Sequence, residues 1–437
     1  MDRRGCRGGE DRVSSNFAKS SPANAEWKSH WPLALAAAAG FSLHSLATQS
    51  IGLFLEPMER SLHWGRGEIA IGLAIAAFLT VPLSPFVGAA IDRWGSRRLG
   101  LPGIVLTALA IAAFGAARTL PQWIALWVLY ALISLGIKAT VWTAAVSDAF
   151  CAARGMALAF AISGTAITQV LAPPVTNWLI EHYGWRQAWV WLGLGWAAPV
   201  FLLALFFLVD LPRKGAVKRA VPGEPVAPLA ADGTFTGLDI REAIRSAALW
   251  RIGISTLLTM LLGTAAVVHQ VPILTQAGVS RDHAALLASL SGLAAFARKF
   301  IVGWLMDRMN AVRISGWILA GSALGFVLLL QPLLTPTTIV LAMLVIGFAG
   351  GAKLQITAYL TGRYGGLRNF GKFFGVMHGL TVLGAGLGPL LAGYVYDISG
   401  SYTPFLVFGI PSSIICGMLI FGLGPLPEER QIVPLPI

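Results

Sequence analysis

The sequence predicts an all-α membrane protein of twelve transmembrane helices, arranged as two six-helix pseudo-symmetric halves. Three observations carry this reading. Of the 437 residues 56% are hydrophobic and 12% charged, about half the charged share of an ordinary soluble domain. The apolar residues fall into runs long enough to cross a bilayer, at about 20 residues each. Finally, residue types recur at a constant offset of 215: Pro57 and Pro272, Arg66 and Arg281, Gly88 and Gly303, Asp92 and Asp307, Arg93 and Arg308, Gly136 and Gly351, Lys138 and Lys353, Pro174 and Pro389.

The helices follow in order. The first, over 31–55, ends at Glu56 and Pro57, and the second, over 67–91, begins beside Arg66 and Glu68. A short basic loop leads to the third, over 98–117, which Arg118 closes. The fourth, over 121–147, ends at Asp148 and carries Lys138 in its middle. The fifth, over 155–180, stops at Glu181, and the sixth, over 186–209, at Asp210. Four prolines and a cluster of Lys and Arg between Leu211 and Arg245 mark a linker. Beyond it lie helices over 249–276, 283–305, 312–333, 336–361, 371–396 and 403–424; the second of these holds Arg298 and Lys299, and the fourth holds Lys353.

The resulting organisation is an N-terminal tail over 1–30, a half over 31–210, a linker over 211–248, a half over 249–424 and a tail over 425–437. This composition excludes a soluble enzyme and a disordered chain. The net charge of +12 is read as orientation rather than nucleic-acid binding, because Lys and Arg collect in the segments that are cytoplasmic when both termini are inside. Cys6, Cys151 and Cys416 fit neither a zinc site nor a disulfide framework, and no cofactor or metal motif is found. An integral protein of a plasma or bacterial inner membrane, monomeric in the lipid bilayer, is expected.

The loop after the second helix reads GAAIDRWGSRR, with Gly88, Asp92, Arg93, Gly95, Arg97 and Arg98; a shorter copy, GWLMDR, holds Gly303, Asp307 and Arg308. Gly88 suits a close helix approach, and Asp92 a helix cap or a partner for Arg across the bundle. The segment resembles the GxxxDRxGxRR signature of the major facilitator superfamily, in the loops and the repeat where that family carries it. Details are similar to its monocarboxylate and oxalate/formate branch: FLEP over 54–57, WGRGEI over 64–69, GPLLAG over 388–393 and DISGSY over 397–402. The resemblance implies a transporter that switches by alternating access, with the motif loops latching the halves in one state. Departures are Lys299 where relatives often carry Arg, and Ala295 where human-type carriers have Asp, so a proton-coupling Asp–Arg pair does not transfer. Ala172, Pro173 and Pro174 stand where drug:proton antiporters carry GxxxGPxxGG.

A lone ammonium near the bilayer centre costs at least about 2.5 kcal/mol, so intramembrane Lys lines a cavity or meets a partner. Acidic residues sit only at the ends of the predicted helices, which leaves Lys138 and Lys353 without an evident protein anion. The missing anion is read as the substrate. His44 and His269 are the candidate proton carriers, since helices one and seven commonly line the central cavity in the resembled family and His titrates near neutral pH. Gln49, Trp142, Gln355 and Tyr359 complete the expected pocket, and Arg298 with Lys299 an inner gate. The function expected is uptake of a small organic anion, a mono- or dicarboxylate, coupled to protons. Anion exchange against a counter-anion, drug export and a non-transporting sensor are the alternatives.

Overall fold

The computed structural model describes residues 22–150, 153–209, 238–330, 333–350, 353–366 and 369–424. Helices account for the architecture, with no β-strand among the described residues. In the first half α1 spans Pro22–Leu62, α2 Arg66–Trp94, α3 Ser96–Ala113, α4 Leu120–Ile133, α5 Ala139–Ala149, α6 Arg154–Ile162 and α7 Gly164–Phe207. The second half contains α8 (Ile240–Arg245), α9 (Ala247–Gln276), α10 (Arg281–Arg308), α11 (Ala311–Leu328), α12 (Pro336–Gly350), α13 (Lys353–Gly365), α14 (Phe370–Ser399) and α15 (Thr403–Phe421). α1 begins at Pro22, inside the segment expected to be a tail; residues 1–21, 210–237 and 425–437 lie outside the described residues, as do Cys6 and Cys151.

Several predicted helices are broken, each for a local reason. The fourth crossing is α4, a 3-10 turn over Ser134–Ile137, and then α5, with Lys138 extended between them at φ −62° and ψ 161°. Gly136 lies in this turn against Gly103 of α3; a Cβ on Gly103 would come within 2.9 Å of the Gly136 carbonyl. The Ile137 carbonyl freed by the break accepts the indole N–H of Trp142 at 2.9 Å, so the interruption costs no buried hydrogen bond there. The fifth crossing is α6 plus the start of α7, parted at Ser163, where Gly164 presses on the Ala38 carbonyl of α1. Within α7 the chain turns back at Gly184, whose φ of 77° favours glycine, and the rest of α7 is the sixth crossing. α12 and α13 together make the tenth crossing.

Seven helical stretches among the described residues are long and apolar enough to cross a membrane: Arg66–Ile91, Ser96–Ala116, Leu120–Ala149, Arg154–Phe207, Ala247–Gln276, Phe370–Ser399 and Thr403–Phe421. α1 is diluted by polar residues, namely Ser42, His44, Ser45, Thr48 and Gln49. α1 therefore carries polar groups into the bundle, as α10 does at the buried Arg298.

Buried aromatic rings build the first half. Phe54 of α1 stacks on Trp189 of α7 with centroids 3.8 Å apart, and Phe114, Trp123, Trp127 and Tyr130 continue the cluster. Trp123, Trp127, Trp142 and Trp189 are fully buried, so these tryptophans serve packing rather than the membrane surface.

Between the halves, small residues let backbones touch. A Cβ on Gly52 of α1 would collide with the Val268 carbonyl of α9. Gly393 of α14 lies against the backbone of Gly67 at the start of α2, and Gly386 packs on Ala77 of α2. Further along the same pair, past Val81 and Gly379, Phe86 of α2 and Val376 of α14 are exposed. The halves are thus bound to each other most closely at the end holding Arg66.

Candidate functional site

Lys138 occupies the break before α5 and is half-buried. Among the described residues its ammonium has no hydrogen bond or ion pair. It lies within electrostatic reach of His44 on α1 and of His378 on α14, one from each half. Trp142, one turn further along α5, fills the space beside Gly40 of α1, where any Cβ would strike its ring. With its N–H committed to Ile137, Trp142 presents only a ring face to a ligand.

On α1, His44 and Gln49 are half-buried, and His44 Nδ1 and Gln49 Oε1 are buried atoms with no hydrogen-bond partner. Unsatisfied groups of this kind cost about 1–3 kcal/mol each, and a polar ligand offsets that cost when it binds. The structure thus brings Lys138, His44 and Trp142 together at the junction of α1 and α5, with Gln49 further along α1.

Other expected pocket residues stand elsewhere. His269 is fully buried on α9, with Nδ1 2.8 Å from the Tyr402 hydroxyl and Nε2 2.9 Å from the Pro389 carbonyl. A carbonyl only accepts, so Nε2 carries the proton and Nδ1 accepts from Tyr402 when the ring is neutral. Tyr359 on α13 is half-buried and its hydroxyl accepts from Arg363 Nε at 3.4 Å. Lys353 is the first residue of α13 and Gln355 follows in its first turn, while the side chains of both lie outside the described residues.

The Arg298 side chain is fully buried, and none of its three guanidinium nitrogens has a hydrogen-bond partner among the described residues. It faces the ring of Phe348 on α12 at 5.6 Å. The Lys299 side chain lies outside the described residues.

In the motif loop, Gly95 with φ 86° ends α2, its N–H reaching the Ile91 carbonyl at 2.9 Å. Arg97 donates to the carbonyls of Leu205 and Leu208 at 2.8 and 2.6 Å and so closes the C-terminus of α7. Arg93 and Arg98 are exposed. The close approach expected at Gly88 is not made, since nothing lies within 4 Å of a Cβ built there. Asp92, Gly303 and Asp307 sit on described helices, but their side-chain surroundings lie outside the described residues; Arg308 is exposed at the end of α10.

A further cluster joins the two halves around Arg66. Arg66 donates from Nε to Glu59 at 2.9 Å and from Nη1 to the Tyr402 hydroxyl at 3.0 Å, with its guanidinium 3.7 Å above the Tyr396 ring. The Asp397 carboxylate accepts the backbone N–H groups of Arg66 and Gly67 at 2.7 and 2.8 Å, capping α2 from the other half. The sequence signal was available for Arg66, Gly67, Asp397 and Tyr402, which belong to the WGRGEI and DISGSY segments that meet here.

A profile of the Major Facilitator Superfamily matches residues 37–280 and again 263–435. Monocarboxylate transporter 11 of Mus musculus is 25% identical over 448 residues, covering 92% of this chain and 92% of its own. Monocarboxylate transporter 13 of Bos taurus is 27% identical over 367 residues, covering 82% and 79%. Among solved structures, the nucleoside transporter NupG superposes with a TM-score of 0.71 at 14% identity, over 90% of this chain and all of that one. A bacterial homologue of the human lysosomal transporter Spinster, inward-facing and unoccupied, gives 0.64 at 16% identity over 92% and 95%.

Proposed function

Because the chain belongs to the Major Facilitator Superfamily, a family of transporters and not of enzymes, we propose that it carries a small organic anion, a mono- or dicarboxylate, across the membrane by alternating access of its two halves. The observation that carries this reading is Lys138: a half-buried ammonium at a helix break inside a membrane crossing, without a protein anion among the described residues. A cation so placed favours an anionic cargo and repels cationic drugs.

The N-terminus of α5 adds to the attraction, because its N–H groups and partial positive charge lie at the same break. Lys353 on α13 is the repeat-related counterpart and supplies the second charge. A carboxylate lying between them would accept hydrogen bonds from both ammonium groups, while His44 and Gln49 offer unsatisfied atoms to its polar substituents.

Proton-coupled uptake is the mode proposed, with His44 as the carrier beside Lys138, while His269, expected from the sequence as a second carrier, is held by Tyr402 and Pro389. Both termini are placed in the cytoplasm of a plasma or bacterial inner membrane, which makes the Arg66 end the outer one. Arg298 and Lys299 then lie toward the inner end as the gate. Similarity to monocarboxylate transporters supports the substrate class.

The test is uptake of radiolabelled L-lactate, benzoate, oxalate and succinate into proteoliposomes under an inward proton gradient. Accumulation of at least one acid, abolished by Lys138→Gln, supports the reading. Accumulation of none, with transport of a cationic dye instead, contradicts it.

A further inference from the structure

The internal repeat relates Arg66, the first residue of α2, to Arg281, the first residue of α10. Each begins the second crossing of its own half, and each reaches into the opposite half. From the first half, Arg66 engages Tyr402 while its N–H and that of Gly67 are capped by Asp397. From the second half, Arg281 donates to the Leu53 carbonyl of α1, and the adjacent Asp282 accepts from Asn177 of α7 at 2.6 Å. Asn177 also donates to Glu181 at 2.9 Å, and Glu56 and Glu181 place further negative charge around Arg281.

From this geometry we infer that Arg66 and Arg281 form a pair of repeat-related latches that hold the outer end of the transporter shut, each arginine gripping the half to which it does not belong. The inference rests on the alternating-access reading given above and adds to it which contacts must part when the outer side opens.

Two features suit these contacts to repeated making and breaking. Directly beneath them the halves meet through backbone, at Gly52 on Val268 and at Gly393 on Gly67, so loss of the latches frees surfaces that carry few side chains to unlock. Asp397 is exposed, so water replaces it at the N–H groups of Arg66 and Gly67 as the halves separate, and the Tyr402 hydroxyl and Leu53 carbonyl that take the two guanidinium groups are neutral acceptors. A dry ion pair would hold harder and release slowly.

The experiment uses the full chain with Cys6, Cys151 and Cys416 replaced, and spin labels on cysteines introduced at Ser61 and Ile398, exposed positions at this end in opposite halves. Distances are measured by double electron–electron resonance in lipid nanodiscs without substrate. The parent gives a short-distance population. Arg66→Gln and Arg281→Gln are each expected to raise the ratio of long to short distances on the order of tenfold, the loss of one charge-assisted bond.

Asp397→Ala and Asn177→Ala remove the acceptor or anchor side of each latch, and give the same shift should an arginine variant fail to fold. Arg118→Gln removes an exposed charge that makes no contact with the other half in the described interactions, and leaves the distribution unchanged. An unchanged distribution on breaking either latch overturns the paired reading. The readout contains no substrate, so a failure of the anion-transport proposal leaves it intact and is recognised separately in the uptake assay.

Discussion

Lys138 and Lys353 stand at repeat-related places in the two halves, the first on the fourth crossing and the second on the tenth. Lys138 lies in a helix break and precedes Ala139, the first residue of α5, while Lys353 lies on α13. Discontinuous helices of this kind direct their N–H groups toward an anion at mid-membrane. The pairing of a cationic side chain with a helix N-terminus at the Lys138 break, with a second lysine at the repeat-related position, is the physical basis for an anionic cargo.

Lys138→Gln and Lys353→Gln are therefore each expected to lower carboxylate uptake by at least about tenfold, the value of one charge-assisted hydrogen bond. Membrane abundance stays near that of the parent. Uptake measured beside a quantitative blot of the membrane fraction checks this, and full activity in both variants removes the lysines from the site.

The two histidines should part company. His269 holds Tyr402 and Pro389 through both ring nitrogens, so His269→Asn loses at least one buried hydrogen bond and destabilises the protein by about 1–3 kcal/mol. His44 has a free Nδ1, and His44→Asn is expected to spare the melting temperature and flatten the dependence of uptake on outside pH between about 5 and 8. Melting curves and pH–rate profiles of the two variants decide it; identical behaviour contradicts the distinction.

Glycine substitutions separate contact from sequence motif. Gly52→Ala drives a methyl group into the Val268 carbonyl and is expected to weaken closure of the halves and cut transport severalfold. Gly88→Ala, in the signature loop, meets nothing within 4 Å and is expected to change stability by no more than about 0.5 kcal/mol. The melting temperatures of both, with uptake rates, provide the check.

Trp142→Phe keeps the ring against Gly40 and deletes the bond to Ile137. A cost of about 1 kcal/mol in stability is expected, together with a raised KM, because the carbonyl that anchors the break loses its donor. An unaltered KM would show that the break does not shape the site.

Much of this was legible in the sequence. The offset of 215 and the apolar runs locate the crossings, and the all-helical fold and the superfamily match follow them. The helix breaks were not legible, because Gly136 and Ser163 matter through their neighbours: Gly103 of α3 presses on one, and Ser163 adjoins the contact of Gly164 with Ala38 of α1. Composition cannot reveal such contacts. His269 illustrates the same limit, since its place on the seventh helix suggests a cavity by resemblance to the family, whereas Tyr402 and Pro389, distant in sequence, enclose it. The roles of Arg66 and Asp397 also depend on a meeting of segments far apart along the chain.

The most direct test of anion recognition is the melting temperature of the detergent-purified protein with L-lactate, benzoate, oxalate, succinate and a cationic dye, each at two pH values. A ligand that binds only the folded state raises it, by about 2.7 kcal/mol of stability at a hundred times its Kd. The account predicts stabilisation by one class of carboxylate in the parent and its loss in Lys138→Gln. Stabilisation by the dye alone, or by a carboxylate equally in parent and variant, would contradict it.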